Sequence, residues 1–524
     1  MRVVVVGAGL GGLAAACHLG GAGHEVVVLE RSARPGGRAG LLEDAGYRLD
    51  TGPSVLTMSG ILAETFAAAG ASMDAYLDLV RVDPAYRACF ASGDDPFGGG
   101  VIRVRHGREA MCEEIRSTCG EAEAAAFSGF ADWLGKLYRC EMPYFIARNY
   151  DSPLDLARPS ALRPLLALAR MGGLRRLSAV VDERFADPRL RKLFSFQAMY
   201  AGLAPTQALA LYAVITYMDT IEGVWFPIGG MHAVARGLAA AAANAGVELR
   251  YDTSVTRILR SGRPAGPGPI RGAGAGPVCG VRLADGERIA ADAVVANPDL
   301  PAVYRELLGG LPAPRVARGG RYSPSCVVWV AGVAAGGRGA GVGTELAHHN
   351  LHFSKSWEAA FGELLDEGRR MTDPSILVSV PSVSDPGLAP PGGRALFALE
   401  PVPNLDGRVD WASERGVARA ALAERVERLG YLGGGKVEVS AFADPLDWRD
   451  AGMERGTPFA LAHRFFQSGP FRPDNVDARV PGLVLVGSGT RPGVGIPMVL
   501  ISGRLAAERV DQLARRRPAR RARR

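Results

Sequence analysis

The chain has 524 residues, is 48% hydrophobic and 22% charged, and carries a formal charge of +7. That length exceeds one ordinary domain, and the apolar content is enough for two joined cores, which excludes a fibrous or disordered chain. The arginines from Arg515 to Arg524 account for the whole excess of positive charge, so the body is neutral and a nucleic-acid partner is not expected.

Arg2–Val6 reads as an apolar strand, Gly7-Ala8-Gly9-Leu10-Gly11-Gly12 as a glycine turn, Leu13–Leu19 as helix, and Glu25–Glu30 as a second strand ending in an acid. This order is that of a dinucleotide-binding unit: Gly7 permits the turn, Gly9 admits a pyrophosphate, and Gly12 lets helix pack on strand. The helix N-terminus attracts phosphate, and Glu30 is placed to accept from ribose hydroxyls. Gly36-Gly37-Arg38 follows, a glycine pair beside a guanidinium that can pair bidentately with a pyrophosphate oxygen. Tyr47–Ser54 reads as a further strand and turn.

Helical spacing is expected over Ile61–Phe90 and Ala110–Tyr150, and again from Leu154 to Tyr217, where Arg158, Arg163, Arg170, Arg175 and Arg176 are interleaved with Leu and Ala. The last stretch is read as a helical cap, and it becomes a membrane-contact surface if the substrate is greasy. Val224–Met231 is an aromatic strand entering a Gly-Gly turn and the helix His232–Asn244. Val247–Tyr251, Val255–Leu259, Cys279–Leu283 and Ala291–Ala296 are expected strands, with Ser261–Pro277 a low-complexity hairpin insertion. Cys326–Val333, Ser375–Val380 and Ala395–Pro401 read as strands, and Ala359–Arg370 and Val417–Leu429 as helices. In His348-His349-Asn350-Leu351-His352 no carboxylate or cysteine stands at ligand spacing, so no metal site is expected. Gly482–Gly503 closes the series as an apolar strand, a glycine-rich turn and a helix of small residues, a second approach to a dinucleotide.

The seven cysteines are odd in number, scattered and without a C-x-x-C pair, which suggests neither disulfides nor zinc and makes the cytoplasm the expected compartment. No signal peptide is read at the N-terminus, and no apolar run is long enough to span a bilayer.

Taken together, Gly7–Gly12, Gly36–Arg38, Phe226–Met231 and Gly482–Gly503 closely resemble the bacterial-type carotenoid (phytoene) desaturase family. Leu193–Gly202, His348-His349, Leu399–Leu405 and Asp444–Asp450 extend the likeness over nearly the whole chain. The resemblance implies an α/β fold: a Rossmann-like, amine-oxidase-like FAD-binding domain from discontinuous segments (1–75, 226–300 and 460–514). It is joined to an α+β substrate domain (76–225 and 301–459) with a membrane-associating helical region; the basic tail (515–524) is expected from its composition alone to be disordered. The resemblance also implies FAD as sole redox cofactor, a C40 polyene substrate, peripheral membrane association, and a quinone or oxygen as electron acceptor.

The cofactor-binding set expected from motifs and resemblance together is Gly7, Gly9, Gly12, Glu30, Gly36, Gly37, Arg38, Gly52, Val255, Gly487, Gly489, Thr490, Gly495, Ile496, Pro497 and Met498. Arg491 stands where many members carry His and receives no catalytic role. Asp447, Asp450 and Glu400 are unranked candidates for a proton acceptor. The expected reaction desaturates phytoene to lycopene or an intermediate by hydride transfer to flavin N5 and proton loss. The alternatives are another carotenoid oxidase or isomerase, an amine or porphyrinogen oxidase, and a non-enzymatic prenyl carrier of the Rab-escort type.

Overall fold

Val3, Val4 and Val5 are completely buried, as an apolar strand must be when both faces of its sheet are covered. In the computed structural model, which describes residues 1–90, 100–262, 276–336 and 346–516, this strand (β1, Arg2–Val6) is central to a five-stranded parallel sheet. The spatial order is Leu483–Leu485, Ala293–Ala296, β1, Glu25–Leu29 (β2), Glu248–Arg250, so strands from both ends and the middle of the chain share one sheet. Helix α1 (Leu10–Gly21) follows β1 and packs against the helices His232–Asn244 and Ile496–Arg516. Its contact face is Gly and Ala because the helices approach closely: a Cβ on Gly503 would lie 2.5 Å from that of Ala14.

A seven-stranded mixed sheet forms the second layer system, in the order Val437–Ala443, Ser325–Val333, Arg394–Val402, Ile376–Ser379, His349–His352, Tyr86–Phe90, Gly100–Val104. One face carries the helix Trp411–Arg428, whose Trp411, Leu422 and Val426 pack on Val327, Trp329 and Ala398. The other turns to the large core that continues into the parallel sheet. Helices Arg108–Cys119, Glu121–Glu141 and Pro159–Arg170 cover the remaining side.

Several expectations change. Within Ile61–Phe90 the only α-helix is Ser59–Ala68, with one 3-10 turn at Met73–Ala75; Leu79–Val82 pairs with Val224–Pro227 and Tyr86–Phe90 with His349–His352. Both partners lie far along the chain, and cross-strand pairing overrides the local apolar spacing. The expected helix Ala359–Arg370 is Trp357–Phe361 followed by one wide turn, Gly362–Asp366, ending before Gly368 at φ +65°. The final helix runs through Arg516, two residues into the expected tail; residues 517–524 lie outside the described residues, as does 263–275 of the expected hairpin insertion. The flanking strands of that insertion, Val255–Arg260 and Val278–Leu283, do pair antiparallel.

Gly60 sits in the helix Ser59–Ala68 with nothing within 4 Å of a Cβ built on it. Gly60→Ala should therefore stabilise the protein by up to about 1 kcal/mol, read as a raised denaturation midpoint.

Candidate functional site

Helix α1 begins immediately after Gly9, whose position offers no side-chain cap, so its first-turn amides are available to an anion. Glu30 lies beneath this turn: one carboxylate oxygen accepts from Ala8 N at 2.7 Å and the other from Ser32 N at 2.9 Å. Each oxygen keeps a further acceptor position, which suits ribose hydroxyls. Gly36 N donates to Ala8 O at 2.9 Å, which docks the second glycine pair against the first turn. Gly52 passes so close to that loop that a Cβ would lie 1.9 Å from Arg38 O. The Arg38 guanidinium donates to Ser488 Oγ and stands 3.7 Å from Asp299 Oδ1, joining the N-terminal motifs to the C-terminal turn.

That C-terminal turn is held from behind. Arg472, fully buried, donates to Ser488 O at 2.6 Å and Thr490 O at 3.0 Å, and Gly487 N donates to Ser502 Oγ at 3.1 Å. The turn then opens the helix Ile496–Arg516, directing a second helix N-terminus inward. Two helix starts, an acid and an arginine converging on glycine-lined backbone fit a dinucleotide cofactor.

All the nominated binding residues except Gly12 and Thr490 line one cavity of about 1230 Å³. Gly12 lies behind the turn against β1, and Thr490 is buried with its hydroxyl donating to Pro473 O at 3.0 Å. Sequence reading missed Asn297, which sits between Gly7, Gly9 and Gly487 and whose Nδ2 is 3.5 Å from Gly7 O. The available signal was its place directly after a buried strand, Ala293–Ala296, before a proline. It also missed Asp50, whose carboxylate accepts from Met231 N at 2.7 Å and His232 N at 3.0 Å. These bonds anchor the Gly229-Gly230 turn, and burial pushes the Asp50 carboxyl up to about 6.

The cavity continues away from the glycines into an apolar half that includes Leu168, Ile215, Phe353, Trp357, Phe361 and Leu399. Two carboxylates, Glu141 and Asp219, also reach this wall, and burial raises both above the ordinary carboxylate range. Of the acids named from sequence as proton acceptors, none lines it. Asp447, three residues after the N-cap Asp444 of the helix Pro445–Asp450, accepts from Asp444 N at 3.0 Å and pairs with Arg415 and Arg419, and Asp450 is exposed beside Arg449. Glu400 is buried 3.3 Å from Arg370; strand alternation sends its neighbours Leu399 and Pro401 to the cavity and Glu400 to the opposite face. Arg491 is buried, donating to Tyr150 O at 2.6 Å, and does not line the cavity.

The histidine cluster is tied to the fold. His348 Nδ1 is 2.7 Å from Ser384 Oγ, His349 Nε2 is 2.9 Å from Ser54 O, and His352 Nε2 is 2.7 Å from the Tyr431 hydroxyl. Burial lowers the His352 imidazole to about 4, below its ordinary 6.5. A depressed folded-state value contributes stability that is complete above the unfolded value and lost as pH falls through it. His352→Gln should therefore lose about 2 kcal/mol less stability than wild type between pH 7 and pH 5, measured by urea denaturation at each pH.

A model of the flavin-containing amine oxidoreductases matches residues 10–511. The chain is 46% identical over 513 residues to phytoene dehydrogenase of Streptomyces griseus, covering 97% of this chain and 95% of the relative. It is 36% identical over 519 residues to the zeta-carotene-forming phytoene desaturase of Myxococcus xanthus, covering 97% and 93%. Among solved structures, cyclohexylamine oxidase from Brevibacterium oxydans shares the fold at a TM-score of 0.57 and 15% identity, over 98% of this chain and 99% of that one. On these matches the chain belongs to the flavin-containing amine oxidoreductases and, among them, to the phytoene desaturase family of FAD-dependent oxidoreductases.

Proposed function

We propose that this protein dehydrogenates phytoene, a C40 polyene, to lycopene or a less conjugated intermediate, acting from the surface of a membrane. The observation that carries the reading is the continuity of the cavity: its glycine-lined end suits FAD, and its other end is walled by Leu, Ile, Phe and Trp side chains. FAD supplies the two-electron acceptor. The protein orients the chain, keeps water out and receives a proton. A hydrocarbon offers no hydrogen-bonding groups, so selectivity rests on the shape and length of the apolar half. The cofactor is assigned to the fourteen nominated residues that line the cavity, with Asn297 added, Gly12 and Thr490 shaping the turns from behind, and reoxidation is assigned to a quinone or oxygen. The phytoene-acting relatives leave the Rab-escort-type carrier without support.

The route for a water-insoluble substrate is supported by what surrounds the apolar end. Leu165, Leu168, Leu174, Phe465 and Phe471 line the cavity, while Leu154, Leu162, Leu166 and Phe466 are exposed nearby in sequence, Leu154 by 79% and Phe466 by 70%. On the helix Pro159–Arg170, Leu162 and Leu166 share a face at i,i+4 spacing, and the exposed Arg163 and Arg170 flank them. That is the composition of an interfacial helix that meets anionic lipid. No helix among the described residues is long and apolar enough to cross a membrane.

Incubating FAD-loaded protein with phytoene in liposomes and a quinone should produce a visible polyene spectrum; its absence under quinone and oxygen alike refutes the reading. Replacing Phe465 and Phe466 together by Asp should cut liposome co-sedimentation at least about tenfold while flavin content is unchanged. Unchanged sedimentation would remove these residues from the membrane contact.

A further inference from the structure

Asp219 lies in the short turn Tyr217–Ile221 on the cavity wall, 2% exposed. One carboxylate oxygen accepts from Thr220 Oγ1 at 2.8 Å; the other, Oδ2, is buried without a hydrogen-bond partner among the described residues. The Tyr86 hydroxyl, Gln197 Oε1 and Thr216 Oγ1 are equally buried and unpartnered. Tyr86 and Gln197 face the carboxylate, and the Tyr200 phenol is close enough to feel its charge. Tyr86 and Gln197 hold the carboxylate from the protein side, and leaving Oδ2 without a well-formed hydrogen bond in an apolar enclosure costs about 1–3 kcal/mol, which a folded chain has little reason to carry without a use.

Packing ties the cluster to lining residues of both halves of the cavity. Tyr86 packs edge-on against His349 with ring centroids 6.5 Å apart, and His349 reaches Ser54 O, beside Gly52 on the cofactor side. On its other flank Tyr86 packs against Phe196, 6.1 Å between centroids, which lines the apolar half.

We infer that Asp219 is the proton acceptor in the desaturation, its Oδ2 taking the hydrogen lost as a proton while Tyr86 and Gln197 orient the carboxylate. The assignment rests on the polyene reading above. In the step, one carbon gives up a hydride to FAD and the adjacent carbon gives up a proton to Asp219. The electron pair of the second C–H bond becomes the new C=C bond, so the substrate loses two electrons and the flavin gains two. The proton leaves Asp219 to solvent before the next cycle, and a quinone or oxygen reoxidises the flavin. Burial lifts the carboxyl to about 7, which matches a base that must accept and release a proton near neutrality.

Three variants test this: Asp219→Asn, Asp219→Glu and, as a control, Glu141→Gln, which alters the other buried carboxylate of the cavity. Flavin content and the spectrum of bound lycopene should be the same in Asp219→Asn as in wild type. Anaerobic flavin reduction by phytoene should fall at least about 100-fold, with partial recovery in Asp219→Glu and a loss in Glu141→Gln at least about tenfold smaller than in Asp219→Asn. Infrared difference spectra of the FAD-loaded protein titrated across neutral pH give a readout independent of turnover, a carboxylic C=O band that disappears in Asp219→Asn. The assignment is overturned if Asp219→Asn reduces flavin at the wild-type rate, if it loses flavin or lycopene binding in parallel with turnover, if Glu141→Gln suffers the loss instead, or if no such band depends on residue 219. Wild-type protein that leaves its flavin oxidised with every polyene offered overturns the functional reading and this assignment together; the substitution pattern overturns the assignment alone.

Discussion

Replacing Gly12 by alanine should yield a protein that purifies without flavin and is destabilised by about 3 kcal/mol or more. The added Cβ would lie 2.2 Å from Gly7 O, a backbone atom inside the turn that no rotamer change can move. Relief requires helix α1 to shift away from β1. That helix is wedged between His232–Asn244 and Ile496–Arg516, where Gly503 already touches Ala14 and Ala15, so a shift on one side becomes a clash on the other. The first-turn amides move with it, away from the pyrophosphate they are placed to bind. Flavin absorbance relative to protein absorbance measures the loss, and a urea midpoint measures the destabilisation. A Gly12→Ala protein with full flavin occupancy would show that this contact yields cheaply.

Arg472→Met should have a comparable effect for a different reason. The guanidinium is 1% exposed and donates to four carbonyls: Ser488 O, Thr490 O, Leu461 O at 3.2 Å and Gln467 O at 3.4 Å. Methionine fills much of the space but leaves those acceptors buried and unpaired, a cost of about 3–5 kcal/mol. Ser488 and Thr490 flank Gly489 in the cavity's C-terminal turn, so flavin affinity should fall with stability. Arg472→Lys should rescue little, because a point-like ammonium cannot serve carbonyls spread around a planar fork. Burial already lowers the Arg472 group to about 10, and a lysine there would be driven further toward its neutral form. Differential scanning calorimetry with and without added FAD separates the two effects; equal melting of Arg472→Lys and wild type would contradict the argument.

Both predictions concern parts of the site with unequal visibility in the sequence. Gly12 was legible because the constraint is local: strand, turn and helix are contiguous, and only glycine fits where a helix meets the strand before it. The same holds for Gly36–Arg38 and Gly487–Met498, each a short run whose spacing carries its own geometry. Arg472 was not legible. Its partners are carbonyls, which carry no side-chain signature, and an arginine in a loop ordinarily faces water.

The strands Tyr86–Phe90 and His349–His352 were hidden for a related reason. Each is stabilised by a partner more than two hundred residues away in the chain, so local spacing suggested helix for the first and only a histidine cluster for the second.

By itself the sequence determined the chemistry of the cofactor end: two glycine turns, an acid at a strand end and an arginine beside them specify a dinucleotide cradle because backbone approach to phosphate tolerates few alternatives. It also determined the family, since those motifs recur in order along the chain. Only the tertiary structure decided which acids face the substrate. Asp447, Asp450 and Glu400 were indistinguishable from Asp219 and Glu141 as letters. Strand alternation and ion pairing remove the first three from the cavity, and the turn Tyr217–Ile221 brings Asp219 to its wall. The acidity of a carboxyl and its access to a substrate are set by what surrounds it in space, and that surrounding is assembled from strands and helices the chain order keeps apart.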